Sequence, residues 1–240
     1  MLISACVTSL AASSFGMVLG LLAGIGSAVL LSLLHWLVTQ IYRIDQVISG
    51  MAINALAIGG TNFLLHKLDP DSSGHAPSLP PVAFEALACI APFALWLYAR
   101  GTRGGLRLQA VGADPDKSRL AGLQPIKIRL AALVATGLFA GMGGAMLVSY
   151  AGVYTDGMTA NKGYIALAAL ILGGWRPLHT LAACLAFGFF MQLQIRLQGL
   201  SVLGVAPPAE LWNSLPYVVT IIALAGFLGR NRTPAGLGKH

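Results

Sequence analysis

Charge is what this sequence has least of. Only 10% of its 240 residues are charged while 56% are hydrophobic, against about 25% charged in an ordinary soluble domain. With a mean hydropathy of +0.76, the chain holds more apolar surface than one soluble core can hide, which makes it a polytopic membrane protein. Cysteine is nearly absent as well. Cys6, Cys89 and Cys184 stand singly in apolar stretches, with no CxxC and no His pattern nearby, so neither a zinc site nor a disulfide framework is supported. No G-x-x-x-x-G-K-[ST] loop occurs, because Lys239, the only lysine that follows a glycine, is itself followed by the terminal His240. The chain therefore has no ATPase site of its own. His35, His66, His75, His179 and His240 form no HExxH pair, and no serine sits in a G-x-S-x-G elbow, which leaves no catalytic constellation. A basic n-region and a cleavage site are also lacking at the start, so the first apolar run is expected to stay in the protein.

What is present is a series of apolar runs: Leu2 to Ser13, Phe15 to Val38, Val47 to His66, Val82 to Ala99, Ile128 to Tyr150, Thr159 to Gly173, Leu178 to Ile195 and Leu215 to Leu228. They predict seven to eight crossings of an all-α transmembrane bundle. The net charge of +7 is concentrated between the runs. Arg100, Arg103, Arg107, Lys117, Arg119, Lys127 and Arg129 crowd one connection, which the positive-inside rule places in the cytoplasm. Alternation then puts 67–81 and 151–158 outside and returns the 230–240 tail to the cytoplasm. Leu2 to Ser13 is short for a span and reads as a helix whose beginning is missing.

Gly16, Gly20 and Gly24 recur at intervals of four, as do Gly137, Gly141 and Ala145. This spacing predicts close helix contacts where lipid gives no hydrophobic drive for association. "GMAINALAIGGTN" (Gly50 to Asn62) and "GYIALAALILGG" (Gly163 to Gly174) both end an apolar run in Gly-Gly and cross in opposite directions. Inverted repeats behave this way, and so does chance similarity over so short a stretch. Glu85, the one acid inside a span, either snorkels to the interface or carries a proton; the latter would suit an ion-coupled secondary transporter. Asn54, Thr61 and Asn62 can share one helical face if the helix continues through Gly59 and Gly60. They either bond to a neighbouring helix or line a wet path for a neutral, hydrogen-bonding solute.

In the basic connection, Asp114 is a good N-cap, Pro115 suits the first helical position, Asp116 favours the positive end of the dipole, and Gly122 can close the helix at C′. The expected helix, Pro115 to Ala121, is too short to stand alone in water. Its exposed Lys117 and Arg119 are topology charges or part of a docking surface.

Three ordered stretches, "DQVISGMAINALAIGGTNFLL" (Asp45 to Leu65), "LQAVGADPDKSRLAGL" (Leu108 to Leu123) and "GMTANKGYIALAALILGGWRPL" (Gly157 to Leu178), with "LQIRLQ" (Leu193 to Gln198) downstream, carry a family resemblance. The chain resembles the permease subunits of bacterial ABC importers in the branched-chain amino acid and simple-sugar superfamily, within its nucleoside or simple-sugar subgroup. The resemblance implies one transmembrane permease domain over 1–240, with 100–129 as a cytoplasmic coupling loop, in the bacterial inner membrane. It implies that a short coupling helix, with Asp114, Pro115, Lys117, Ser118, Arg119, Ala121 and Gly122, is gripped by a separate ATPase subunit. That partner binds the ATP, and no cofactor is expected on this chain. It further implies a second homologous permease, an extracytoplasmic solute-binding protein, and a solute path near Asn54, Thr61 and Asn62. The solute is expected to be a nucleoside, or else a simple sugar or branched-chain amino acid. Relatives carry additional N-terminal helices, so either the start is misassigned or the chain is truncated. Ala113 and Ser118 replace an acidic residue and an alanine, and both changes are expected to lie on the surface.

Overall fold

A computed structural model describes residues 1–68, 81–160 and 162–197, together with Ile221, Gly236 and Gly238. Every regular element among them is helical: α1 (Leu2–Phe15), α2 (Met17–Trp36), α3 (Gln46–Leu68), α4 (Pro81–Gly101), α5 (Arg103–Ala113), α6 (Pro115–Leu120), α7 (Pro125–Ala151), α8 (Lys162–Leu172) and α9 (Pro177–Leu197). A π-helical turn, Leu37–Ile41, continues α2. Among the described residues, five helices are long and apolar enough to cross a membrane: α2 with its π turn, α3, α4, α7 and α9. The other two expected spans are shorter, with α1 at 14 residues and α8 at 11, or about 21 and 16 Å at 1.5 Å per residue. Both fall short of a hydrocarbon core of about 30 Å. Apart from Ile221, the expected Leu215 to Leu228 span lies outside the described residues, as does Gln198 of the downstream motif.

The contacts divide the chain into two units. The first comprises 1–88, 101–160 and 235–240, and the second 89–100 and 161–234, so that α4 contributes to both. In the first unit α1, α2 and α7 pack on one another and α3 lies against α1 and α2. Glycine sets the spacing. A Cβ on Gly20 would meet Ala12 within 2.7 Å, and one on Gly24 would collide with the Thr8 hydroxyl, so α1 and α2 run antiparallel at near contact. Gly137 and Gly141 do the same for α7 against α2, facing Val29 and Ile25. The glycine spacing thus marks the contacts with one correction. Gly16 lies outside the helical stripe and forms the α1–α2 corner, with φ 87° and open space around it, a conformation glycine adopts without steric cost.

Ser4 Oγ donates to the Gly141 carbonyl at 2.7 Å. Beyond it, Ala5, Cys6, Val148 and Tyr154 form a small core with Leu64 and Leu65 of α3 against it. This core joins the N-terminal part of α1 to the C-terminal ends of α3 and α7.

In the second unit α8 and α9 form a hairpin around Ala169, Ala183 and Phe187. The two Gly-Gly pairs behave differently. Gly59 and Gly60 sit inside α3, which runs on to Leu68. After Gly173 and Gly174 the chain turns, with positive φ at Gly174 and Trp175, and Pro177 opens α9. The residues after each pair decide the outcome, because Pro177 lacks an N–H to continue a helix yet suits the start of one.

Candidate coupling surface and polar face

The basic connection contains two helices, where the sequence predicts one. α5 begins at an N-cap, Thr102, whose hydroxyl accepts from Gly105 N–H at 3.0 Å. Gly105 and Val111 are its buried residues, and it packs on α6 and α7. The signal for this helix was the capping threonine, obscured by the poor helix formers Gly104 and Gly105 directly after it.

The structure has α6 where the caps predict it, one residue shorter at its end, within ordinary boundary variation. Asp114 Oδ1 accepts from Asp116 N–H at 3.1 Å and Lys117 N–H at 3.2 Å. Asp114 Oδ2 lies 3.3 Å from Lys117 Nζ. The Lys117 N–H does most to hold the Asp114 carboxyl below its ordinary pKa; partial desolvation opposes this, and the Lys117 ammonium and Asp116 N–H add to it. At the other end Ala121 is the C-cap and Gly122, at φ 80°, is C′. Gly122 N–H bonds to Arg119 O and Leu123 N–H to Ser118 O, each at 3.0 Å, which is the Schellman pattern of helix termination.

α6 has two distinct faces. Pro115 and Ser118 are buried, and Ser118 Oγ donates to Asp114 O at 2.8 Å. The expectation that Ser118 is a surface change is therefore corrected: its hydroxyl closes a turn of the helix on the inward side. Ala113 is exposed. Outward lie Lys117, Arg119, Ala121 and Gly122, with Leu120 at 90% exposure. A leucine so fully presented at the tip of a short charged helix was not singled out by the sequence, since burial of α6 depends on α5 and α7. Gly236 of the tail donates its N–H to Gly112 O at 3.1 Å, so this residue sits beside the α5–α6 corner.

On α3, the continuous helix does place Asn54, Thr61 and Asn62 on neighbouring positions, yet their surroundings differ. Asn54 is exposed and Asn62 half-buried. Thr61 is fully buried and donates to Ala57 O at 2.8 Å within its own helix. The Tyr154 hydroxyl approaches Thr61 but makes no hydrogen bond of its own. Glu85 accepts a 2.6 Å hydrogen bond from the exposed Tyr150 hydroxyl, a partner that the sequence did not suggest. Among the described residues, no group of three or more His, Cys, Asp or Glu could hold a metal ion.

Long apolar helices packed through glycine, with a doubly capped helix set apart in a basic connection, mark a multi-pass membrane protein. The family model described as branched-chain amino acid transport system / permease component matches residues 1–224, and the chain belongs to that family; it is a permease subunit of an ATP-binding-cassette importer. The guanosine ABC transporter permease protein NupQ of Bacillus subtilis is 33% identical, over 92% of this chain and 76% of its own length. The nucleoside ABC transporter permease protein NupC of Lactococcus lactis is 29% identical, over 92% and 77%. TsgC13 of Haloferax volcanii, provisionally named a glucose ABC transporter permease, is 28% identical over 86% and 74%. No solved structure matches the chain.

Proposed function

We propose that this chain carries nucleosides inward across the bacterial inner membrane. It works without an ATPase site of its own, as one permease domain paired with a second homologous permease, an ATPase subunit and an extracytoplasmic solute-binding protein. Support for the solute class comes from the names of the relatives NupQ and NupC. Of the three residues expected near the path, uncharged Asn54 and Asn62 suit a neutral hydrogen-bonding solute, whereas the buried Thr61 hydroxyl bonds within its own helix, and the exposure of Asn54 suits a path completed by a second permease. TsgC13 favours a simple sugar as the second reading.

The coupling assignment rests above all on the outward face of α6. A helix of 6 residues is far below the length stable alone in water, and here both its ends are capped and its inner face is fixed on α5 and α7. Its Leu120, Lys117 and Arg119 are left to face a partner. An exposed large apolar side chain flanked by charge is what a docking pocket on a soluble subunit would take. Residues 100–129 are then the cytoplasmic coupling loop and 230–240 the cytoplasmic tail, in keeping with the Gly236 contact at Gly112.

Two measurements test this. In vesicles containing the native complex, ATP-dependent uptake of labelled guanosine should be competed by unlabelled nucleosides and ignore glucose; the reverse pattern assigns the sugar. Leu120→Asp should leave membrane insertion intact and remove the ATPase from the purified complex. Undiminished co-purification would refute the coupling role of α6.

A further inference from the structure

α2 is tied to α7 by a series of hydrogen bonds along one side. Ser32 Oγ donates to Leu133 O, Trp36 Nε1 to Ile126 O at 3.4 Å, and Gln40 Oε1 accepts from Arg129 Nη1 at 2.9 Å. The α2 residues succeed one another at intervals of four, so they share a face. The first two rungs end on backbone carbonyls fixed in α7, so in each only the α2 side chain can turn away. The third joins two side chains, and one torsional change releases it while both helices stay in place.

That third rung has an unusual setting. Gln40 lies in the π-helical turn Leu37–Ile41, a departure from α geometry that often marks functional sites and that rotates the residues after it about the helix axis. Tyr42 to Ile44 then lead directly into α3, whose N-terminus is held by Asp45 Oδ1 accepting from Val47 N–H at 2.8 Å. His35 Nδ1 and Ser49 Oγ, 2.9 Å apart, fasten α2 to α3 on another side. At the α7 end, Arg129 lies one turn beyond Pro125 and within electrostatic range of both Asp116 and Arg119 of α6.

We infer that the Gln40–Arg129 hydrogen bond is the releasable link through which displacement of α6 and the start of α7 reaches the π turn and, through it, α3. This rests on the coupling reading of α6 and deepens it by naming two positioning residues. Arg129 supplies a fixed planar fork, whose Nη1 either donates to Gln40 Oε1, as here, or leaves it. ATPase docking changes the charge environment of α6 and moves the α7 start; the bond then transmits or releases that motion to the helix carrying Asn54 and Thr61.

The test uses the complete complex in proteoliposomes with labelled guanosine as probe, comparing wild type with Gln40→Leu and Gln40→Glu. Loss of a hydrogen bond to a charged group corresponds to a change of about tenfold. Gln40→Leu should keep the ATPase bound and hydrolysing ATP at the wild-type rate while guanosine moved per ATP falls about tenfold; Gln40→Glu, which restores an acceptor for Arg129, should recover most of it. Unchanged transport per ATP in Gln40→Leu overturns the inference. So does loss of ATPase binding in step with transport, which is what a merely structural residue would give. If Gln40→Leu fails to insert, Arg129→Lys, which keeps the charge and removes the fork, is read by the same ratio. A wild-type complex that binds the ATPase but takes up guanosine without regard to ATP overturns the coupling reading, and this inference with it.

Discussion

Gly141 offers a direct test of how the first unit is held together. A Cβ there would lie 2.8 Å from Ile25 Cα, 3.2 Å from Ala28 Cβ and 3.4 Å from Ile25 Cβ. The nearest obstacle is backbone, so no rotamer change relieves it; α2 and α7 must separate by at least about half an ångström to reach ordinary contact. Separation also strains the Ser4 bond to the Gly141 carbonyl. Overpacking of this kind costs about 1–3 kcal/mol, while Gly to Ala in a helix returns up to about 1 kcal/mol. Gly141→Ala should therefore be destabilised by about 1 kcal/mol, and Gly141→Val, with two further methyl groups against the same backbone, by about 2–3 kcal/mol. Gly26, on the same α2 but with nothing within 4 Å of its Cβ position, supplies the control: Gly26→Ala keeps the propensity gain and meets no clash. Thermal unfolding in detergent should rank Gly26→Ala at or above wild type, then Gly141→Ala, then Gly141→Val, with about 2–4 °C for each kcal/mol in a chain of this size. Equal effects at Gly26 and Gly141, or a stabilised Gly141→Val, would refute contact packing as the role of the glycine spacing.

Asp114→Ala should lower ATPase retention several-fold while Asp114→Asn, which keeps the accepting oxygen, should retain it. Because the folded carboxyl is held below its ordinary value, the cap's contribution is fully present above the unfolded carboxylate pKa of about 3.9 and is lost as pH falls through the lower folded value. Co-purification from pH 5 to 8 should accordingly show no titration from this residue. Asn54→Leu should cut guanosine uptake by about tenfold, as expected when a hydrogen-bonding group is lost from a solute path, with no change in unfolding temperature. Thr61→Val should leave both nearly unaltered, because the hydroxyl bonds only back to carbonyls of its own helix. Uptake that depends on Thr61 and ignores Asn54 would reverse their roles.

These two α3 residues also show where the sequence stops being informative. That α3 continues through Gly59 and Gly60 is expected from its apolar flanks, but the contrast between a buried Thr61 and an exposed Asn54 depends on where α1 and Tyr154 happen to cross α3. No local pattern encodes that crossing. The α6 caps were legible because they are local: Asp114, Pro115 and Gly122 act on backbone groups within a few residues. The same locality explains the errors. Gly16 fits the four-residue spacing, yet its left-handed φ marks a corner, and α5 was hidden because Gly104 and Gly105 lower the helical signal just where Thr102 begins it. Ser118 looked like surface because its neighbours are charged, whereas α5 and α7 cover that face.

The inward burial of Pro115 and Ser118 has a mechanical consequence. With α6 fixed on one side and capped at both ends, a partner gripping Leu120 cannot simply unwind it, since both caps and the inner packing would be lost together. The force must instead pass on through the short Ala121 to Gln124 connection to Pro125, the buried first residue of α7. α7 is itself locked to α2 by Gly137 and Gly141, which permit no closer approach and favour movement of the two helices as a unit. A push at α6 therefore has little freedom to dissipate between α7 and α2. It reaches the ends of α2 and α7 nearest α6, where the helical ladder gives way to a π turn and a side-chain bond, and there the motion can be handed to α3.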